Sequence, residues 1–286
     1  MMARPRMTIL LPALLMVCWL AAYSHAQNGL VTVDVPGATE TDCNDINKAG
    51  IVVGYYVDAS GVNHGFALIQ KSFRTFDVSG AEATFMYGIN DLNQAVGWYT
   101  DSSFIMHGFL YVAGKVTTLD PPGATLTNAW SINNSGTIVG TFVDGSGLHH
   151  GFTYSGGTYS TYNAPNAILT AITGITSSGQ IVGFYDDSEG NQHGFALANN
   201  KFFTLDYPGA TETVATRIND SGKIVGYDGL SGLGPFSGYL ESGGLYDTVN
   251  FPAASDTRVR GLNNSGIVVG RYTDFAGVVH GFMGTP

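Results

Sequence analysis

A nine-residue stretch decides the fold: Ile132-Asn133-Asn134-Ser135-Gly136-Thr137-Ile138-Val139-Gly140. Its centre, Asn134-Ser135-Gly136, has the residue types of a tight turn, and the β-branched residues beyond it are typical of a strand. Upstream, Thr118-Leu119-Asp120 is a short strand, and downstream His150-Gly151-Phe152 opens another after a second turn. Together with the strand that follows Gly156-Gly157, the pattern predicts a unit of four antiparallel strands.

The same unit occurs six times along the chain. The starting threonines are 43 residues apart, with 44 before the last, and they are Thr32, Thr75, Thr118, Thr161, Thr204 and Thr248. Repeats of this length are typical of propeller blades and are close to those of paired-helix solenoids. The abundance of Val, Ile, Thr, Tyr, Phe and Gly between frequent turn signals favours strands, and therefore a propeller.

Every unit also contains a Val-Gly pair, from Val53-Gly54 to Val269-Gly270. The pair lies in a strand that is apolar on both faces, as expected for a sheet packed between two others. Glycine in mid-strand permits the close approach of another backbone. The chain starts with an extra strand at Thr32-Val33-Asp34, and its last unit ends at His280-Gly281-Phe282 without a fourth strand. We therefore predict an all-β fold: a single six-bladed β-propeller of four-stranded antiparallel blades, closed by the N-terminal strand joining the last blade.

The repeat resembles the HAF-type extracellular repeats of bacterial secreted proteins. The resemblance rests on His-Gly-Phe after Asp-x-x-Gly and on Ile-Asn-x-x-Gly-x-Ile-Val-Gly before it, and it covers residues 32–282. It implies an extracellular repeat protein and transfers no activity or site residue. The fifth repeat departs from the pattern, because Ser237-Gly238-Tyr239 replaces His-Gly-Phe and its turn holds one extra residue. We expect an irregular loop there.

Residues 1–26 are predicted to be a secretory signal peptide, and residues 27–286 the propeller domain. Arg4 and Arg6 precede an apolar run, and Ser24-His25-Ala26 places small residues at a cleavage site. No later stretch is long enough to span a bilayer. We therefore expect a protein secreted to the extracellular space or the periplasm, with no membrane span after cleavage.

The net charge of the chain argues against one class of partner, and the cysteine count leaves a single thiol to explain. The chain has 286 residues, of which 12% are charged, and a net charge of −10, which argues against a nucleic-acid partner. Loss of Cys18 with the leader leaves Cys43 alone, and its equivalents in other repeats, such as Met86 and Ile172, predict a buried apolar position. We predict a monomer whose partner is a glycan or an extracellular protein.

Recurring histidines and aspartates suggest metal sites at first sight. The histidines are His64, His107, His150, His193 and His280, and the turn aspartates are Asp58, Asp101, Asp144, Asp187 and Asp274. Equivalent positions on different blades are too far apart to share one ion, and Asp-x-x-Gly is ordinary turn chemistry. We predict local hydrogen bonds within each blade, and neither a metal site nor a cofactor.

A single binding site is expected where the repeats differ. One variable position on the innermost strand of each unit is occupied by Asn44, Tyr87, Trp130, Thr173, Thr216 and Arg260. From this region we select eight candidate ligand-binding residues: Phe85, Tyr87, Trp130, Arg258, Arg260, Glu40, Glu212 and Asp256. Aromatic rings stack on the C–H faces of sugars, and charged groups bind hydroxyls. The alternative is that the aromatic residues fill gaps between blades and the charges form a solvated rim.

Three functions remain open. The leading prediction is a secreted, non-catalytic propeller that binds a glycan or surface polysaccharide. The second is a glycoside hydrolase or polysaccharide lyase, for which Glu40, Glu212 and Asp256 would supply paired carboxyl groups. No nucleophile motif or catalytic residue set singles out other chemistry. The third is a structural component of the cell surface or matrix.

Overall fold

The computed structural model describes residues 29–230 and 234–286, and the predicted leader at 1–26 lies outside them. The regular elements of the described residues are β1 Gly29–Val33, β2 Glu40–Ile46, β3 Val52–Val57, β4 Asn63–Ile69, β5 Ser72–Phe76, β6 Ala83–Ile89, β7 Ala95–Thr100, β8 Met106–Val112, β9 Lys115–Leu119, β10 Ala124–Ile132, β11 Ile138–Asp144, β12 His149–Ser155, β13 Thr158–Tyr162, β14 Leu169–Ile175, β15 Ile181–Asp186, β16 Gln192–Ala198, β17 Lys201–Leu205, β18 Glu212–Ile218, β19 Ile224–Gly229, β20 Phe236–Ser242, β21 Leu245–Thr248, β22 Asp256–Leu262, β23 Val268–Thr273 and β24 Val279–Thr285. Across these two ranges, no helix has the length and apolar character that crossing a membrane requires.

Three sheets have four antiparallel strands each. Their orders are β2-β3-β4-β5, β6-β7-β8-β9 and β1-β24-β23-β22. In the last, the N-terminal strand β1 pairs antiparallel with β24, so that Thr32 lies opposite Phe282. Strands from the two ends of the described chain therefore complete one sheet.

The remaining twelve strands, β10 to β21, form one continuous sheet. It consists of three antiparallel groups of four strands that are joined by two single-residue parallel pairings, His149 with Leu169 and Gln192 with Glu212. The sequence predicts separate four-stranded sheets, so this continuity differs from the expectation. It arises where the first residue of one group's third strand pairs with the first residue of the next group's first strand. The first strands of the groups, called the inner strands below, are β2, β6, β10, β14, β18 and β22. Each group of four strands is called a unit below, with β1 assigned to the sixth unit.

The hydrophobic core lies between neighbouring units. Val139 of the third unit packs with Ile172 and Phe195 of the fourth. In the same way Val269 of the sixth unit packs with residues of the first, including Phe66. The last unit therefore contacts the first through buried apolar side chains. Cys43 belongs to the same cluster, and burial raises the pKa of its thiol, which confirms the predicted buried position.

The glycine of each Val-Gly pair lies in close contact with a carbonyl group of the inner strand and with an aromatic ring of the third strand. A Cβ atom on Gly183 would lie 1.9 Å from the Ala171 carbonyl oxygen and 2.9 Å from the Phe195 ring. The rings at this position are completely buried in every unit, and they are Phe66, Phe109, Phe152, Phe195, Tyr239 and Phe282. In the fifth unit the Tyr239 hydroxyl donates a 3.1 Å hydrogen bond to the Val214 carbonyl. The departure from His-Gly-Phe is therefore accommodated by one buried hydrogen bond.

Asparagine side chains link consecutive units at the ends of the inner strands. Asn47 Nδ2 donates to the Asn90 carbonyl, and Asn263 Nδ2 donates to the Asn47 carbonyl. Further amide donors of the same kind are Asn90, Asn133 and Asn219. Between the fourth and fifth units Ser177 N donates to Asp220 Oδ1 at 2.7 Å. The links satisfy buried backbone carbonyls and join the sixth unit to the first.

Each recurring histidine bridges two side chains of its own unit, as predicted. His64 Nδ1 lies 3.0 Å from Asp77 at the end of the outer strand, and its Nε2 lies 3.5 Å from the turn residue Asp58. The others follow the same plan: His107, His150, His193 and His280. Each turn aspartate also accepts backbone N–H bonds from its own turn, as Asp58 does from Val62. Within the described ranges, no three His, Cys, Asp or Glu side chains are grouped closely enough to hold a metal ion.

These bridges predict that stability falls at both pH extremes. Burial alone would lower the pKa of His64 and His193, but their two carboxylates outweigh it and raise the pKa above 6.5. This contribution is therefore complete below pH 6.5 and lost as the pH rises through the folded pKa. Backbone hydrogen bonds, first that of Val62, lower the pKa of Asp58 from 3.8 to about 2. That contribution is present above pH 3.8 and lost as the pH falls towards 2.

Thermal melting across the pH range measures both losses. We expect the contribution of these bridges to the melting temperature to be largest between about pH 4 and pH 6.5 and to decline on either side. The combined substitution His64→Gln and His193→Gln should flatten the decline above pH 6.5 and leave the acid limb in place. A melting temperature that rises between pH 6.5 and pH 8 would contradict this assignment.

Candidate functional site

A β-bulge interrupts every inner strand at the same position. In β2 the register passes from Cys43 opposite Gly54 to Asp45 opposite Val53, so Asn44 is the extra residue. The extra residues, called the bulge residues below, are Asn44, Tyr87, Trp130, Thr173, Thr216 and Arg260. A bulge leaves its residue outside the ladder and redirects the side chain. These are the six residues of the variable position identified in the sequence.

The six bulge residues converge on one pocket of about 110 Å³, called the aromatic pocket below. Its other lining residues are Phe184, Val214, Arg217 and Tyr227. Three of the eight candidate residues, Tyr87, Trp130 and Arg260, therefore come together. Phe85, Arg258, Glu40, Glu212 and Asp256 are not part of the lining.

Arg217 lies at the floor of this pocket, where the inner strands of the units approach one another. Nη1 donates to the carbonyls of Trp130 and Thr173 at 3.2 and 2.7 Å. Nη2 donates to the carbonyls of Asn44 and Tyr87 at 3.4 and 2.8 Å. One guanidinium group thus binds the carbonyls of four bulge residues from four different units.

The charge of Arg217 is balanced by Asp45, which lies 3.2 Å away from Nε. Both side chains are 7% exposed. Asp45 also accepts a 3.0 Å hydrogen bond from the N–H of Ile89. Burial raises the pKa of Asp45, although the Arg217 charge and the backbone N–H of Ile89 act in the opposite direction. The ion pair is therefore buried away from water. Its two side chains and their hydrogen-bond partners come from five of the units.

Arg217 is not among the eight candidate residues selected from the sequence. Its position directly follows a bulge residue, and the equivalent residues in the other units are Asp45, Gly88, Ser131, Gly174 and Gly261. Backbones approach closely here: a Cβ on Gly174 would lie 3.1 Å from the Arg217 Cα. The glycines let the inner strands come together, and one long cation fills the space that remains.

A second pocket of about 70 Å³ lies on the other side of Arg217. It is lined by the ends of the inner strands and the residues that follow them, among them Asn47, Lys48, Asp91, Asn134 and Asp220. Several of these polar groups bind one another: Asp91 accepts from Lys48 N, and Asn134 Nδ2 donates to Asp91. Arg217 separates this pocket from the aromatic pocket.

The aromatic wall of the site comes from the second and third units. Tyr87 and Trp130 meet edge to face, with ring centroids 4.5 Å apart. Trp130 Nε1 donates a 3.1 Å hydrogen bond to Thr141 Oγ1, which fixes the orientation of the indole. Phe85 instead stacks on Trp98 at 3.8 Å. Phe85 therefore packs behind the wall, which matches the gap-filling alternative for that residue.

An arginine cluster, defined as Arg258, Arg260 and Arg271, lies beside the pocket, and Arg260 is its member in the lining. The Arg258 guanidinium lies over the Phe236 ring at 4.1 Å, and its Nε lies 3.2 Å from Asp256. Arg260 lies over the Tyr227 ring at 5.3 Å. Aromatic faces attract such cations, so the rings hold the arginines against the pocket.

Asp42 is the buried counterion of this cluster. It is 2% exposed and lies 3.8 Å from Arg260 Nη2 and 3.7 Å from Arg271 Nε. These distances exceed those of a hydrogen bond. Within the described part of the chain, neither Asp42 oxygen nor the Nε atoms of Arg260 and Arg271 have a hydrogen-bond partner. The ion pairs are therefore loose.

The three carboxyl groups considered for hydrolysis are spread along the rim. Glu40, Glu212 and Asp256 are the first residues of β2, β18 and β22. Glu40 is exposed. Asp256 binds Arg258 and accepts a hydrogen bond from Phe236 N. Burial raises the pKa of Glu212, against the nearby charge of Arg258. None of the three lines the aromatic pocket.

A second variable position contributes residues that sequence reasoning missed. It directly follows the Val-Gly pair and is occupied by Tyr55, Trp98, Thr141, Phe184, Tyr227 and Arg271. Phe184 and Tyr227 line the aromatic pocket, and Thr141 and Arg271 support Trp130 and Asp42. The signal was present, because this position varies beside an invariant pair.

Comparisons with known proteins identify relatives in structure only. No protein-family model matches the sequence, and no curated protein matches it. The chain is similar to a fungal lectin from Aleuria aurantia, described by its six-bladed β-propeller fold and novel fucose recognition mode. The identity is 12% and the TM-score 0.53, over 88% of this chain and 93% of the lectin.

Two further solved structures show the same likeness. AofleA from Arthrobotrys oligospora has 12% identity and a TM-score of 0.58, over 90% of this chain and 85% of that one. Trypanosoma rangeli sialidase has 8% identity and a TM-score of 0.54, over 90% of this chain and 57% of that one. At such identities the likeness concerns the fold alone, and the chain is an all-β protein of β-propeller architecture.

Proposed function

We propose that the protein is a secreted, non-catalytic six-bladed propeller that binds a glycan in the aromatic pocket. The six units are its blades, and the pairing of β1 with β24 closes the ring. The buried contacts and asparagine links between the sixth and first units support this closure. Secretion and kinship with HAF-type repeat proteins are parts of the same proposal, and both rest on the sequence.

One observation carries the glycan assignment: six bulges bring a variable position of the repeat together in a single pocket. That pocket combines aromatic rings with hydrogen-bonding groups, namely Tyr87, Trp130, Asn44 and Arg260. Sugars present both apolar C–H faces and hydroxyls, and such mixed sites suit them. The fucose recognition named for the Aleuria aurantia lectin supports the same class of ligand on this architecture.

The size of the pocket limits what enters it. About 110 Å³ is small beside the roughly 300–1,000 Å³ of sites for larger molecules. Arg217 closes the floor, so a polysaccharide chain does not thread through the axis. We infer that the pocket takes one terminal or projecting sugar residue.

Catalysis is the less favoured alternative. The sialidase among the neighbours indicates that enzymes also use this architecture. Hydrolysis needs two carboxyl groups about 5–9.5 Å apart across the bond that breaks. Glu40, Glu212 and Asp256 lie outside the lining of the aromatic pocket, so a binding role is the better explanation of the geometry.

A protein partner is the second candidate. Glu40 lies opposite Val57, so the turns after the second strands share the face on which the inner strands begin. Large apolar side chains are exposed on these turns, including Phe104 at 78% and Phe275 at 80%. Exposure of large apolar side chains on one face is the observation that favours a protein partner.

Glycan binding and turnover by the purified protein test the proposal. Soluble and insoluble glycans are scored for retained protein and for released sugar. Trp130→Ala should weaken retention about 3- to 10-fold, because an aromatic contact contributes about 0.5–1.5 kcal/mol. The matched control is Phe203→Ala, which removes a half-exposed ring from an outer strand. Retention unchanged by Trp130→Ala, in a variant with native circular dichroism, would rule the pocket out, and released sugar would show an enzyme.

A further inference from the structure

The positive charge of the arginine cluster contrasts with the acidic composition of the whole chain. The chain has a net charge of −10 and only 12 basic residues. Three of them are crowded into β22 and β23, near three carboxyl groups, those of Asp42, Asp256 and Glu212. The cluster therefore concentrates cations beside the aromatic pocket. An acidic protein that concentrates cations at one site has the electrostatics for an anionic ligand.

The arginines near the pocket differ in how far their hydrogen-bonding capacity is used. Both Nη atoms of Arg217 are engaged by four carbonyls, and its Nε lies 3.2 Å from Asp45. Arg258 is held by Asp256 and lies against the Phe236 ring. Arg260 has only the loose 3.8 Å contact with Asp42, although a guanidinium has five N–H donors. Among the described residues, Arg260 is thus the pocket-lining cation with donors to spare.

The position of Arg260 suits a carboxylate attached to a sugar ring. Its planar group lies over Tyr227, and the same pocket is lined by Tyr87 and Trp130. A carboxylate held by a guanidinium forms two parallel hydrogen bonds, which fixes the plane of the ligand. Burial raises the pKa of Tyr87 to about 12, so its hydroxyl stays neutral and does not repel an anion.

We propose that the glycan is acidic and that Arg260 binds the carboxylate of a uronic-acid type sugar whose ring lies against Tyr87 and Trp130. This inference rests on the proposed glycan site and adds the chemical class of its ligand. The positive charge of Arg260 attracts the anion, and its unused donors hold it.

Sugar pairs that differ only at C6 test the proposal directly. D-galacturonate is compared with D-galactose, and D-glucuronate with D-glucose, by titration calorimetry on the full protein. We expect each uronate to bind about 10- to 100-fold more tightly than its neutral counterpart, as charge-assisted bidentate bonds require. The methyl ester of galacturonate should bind like galactose. Raising the salt concentration should weaken only the uronates.

Arg260→Gln should abolish the preference for uronates while leaving weak binding of both sugars. Arg260→Lys is the second variant, and it should restore part of the preference because it keeps the charge without the planar fork. Arg74→Gln removes an exposed arginine from the outer strand β5 and serves as the matched control. A preference that persists in Arg260→Gln would overturn the proposal.

The remaining outcomes separate this inference from the function on which it rests. If neutral sugars bind as tightly as uronates and Trp130→Ala weakens both, the glycan site stands and the acidic ligand is wrong. If neither class binds at millimolar concentration, both the acidic ligand and the glycan site are wrong.

Discussion

Replacing Arg217 by methionine is expected to lower the free energy of unfolding by about 3–5 kcal/mol. The substitution leaves Asp45 buried without its cation, and it deprives four bulge carbonyls of their donors. Removal of one partner from a buried ion pair is strongly destabilising because the remaining charge stays desolvated. Chemical denaturation followed by fluorescence measures the loss.

Matched variants separate the charge from the carbonyl network. Arg217→Lys keeps the charge but replaces the planar fork by three N–H donors on a single nitrogen, so we expect an intermediate loss. Adding Asp45→Asn to Arg217→Met removes the uncompensated charge and should recover part of the stability. If Arg217→Met unfolds at the same denaturant concentration as the native protein, the ion pair has no role in holding the inner strands.

Gly183→Ala is expected to destabilise the protein by about 3 kcal/mol, the upper end for overpacking in a core. The new methyl group would meet a backbone carbonyl, that of Ala171, at 1.9 Å and a buried ring at 2.9 Å. Neither neighbour is the flexible end of a side chain, so the inner strand itself has to shift. A shift there displaces Thr173 and the pocket with it.

Gly145→Ala is the control for this substitution. Gly145 is exposed in a turn, and a Cβ atom placed on it meets nothing within 4 Å. Its φ angle lies outside the left-handed region, so we expect a change within about 0.5 kcal/mol. Equal losses in the two alanine variants would show that close packing at the Val-Gly pair is not the cause.

The repeat made most of the secondary structure predictable. Turn residues such as Asn134-Ser135-Gly136 and strands such as 138–142 are local features, and the structure has them where the sequence predicts them. The single parallel pairings between units were not predictable, because they depend on how closely two neighbouring strand ends approach. No local pattern encodes that distance.

The candidate site was predictable only in part, for a geometric reason. Variation between repeats drew attention to the position of the six bulge residues, although only Tyr87, Trp130 and Arg260 were among the eight candidates, and the structure brings all six to one pocket. That variation does not show which other positions point the same way, so Phe184 and Tyr227 were missed. The role of Arg217 depends on carbonyls from four units, and no single repeat contains that information.

The pairing of β1 with β24 has a consequence for synthesis. Thr32 and Tyr272, which share a 2.9 Å hydrogen bond, are 240 residues apart. β1 leaves the ribosome first and has no partner strand until the last unit emerges. During translation the chain therefore carries one strand with unpaired backbone groups, and non-local pairing of this kind is slow and exposed to aggregation. A nascent chain interrupted before residue 279 therefore retains that strand without its partner.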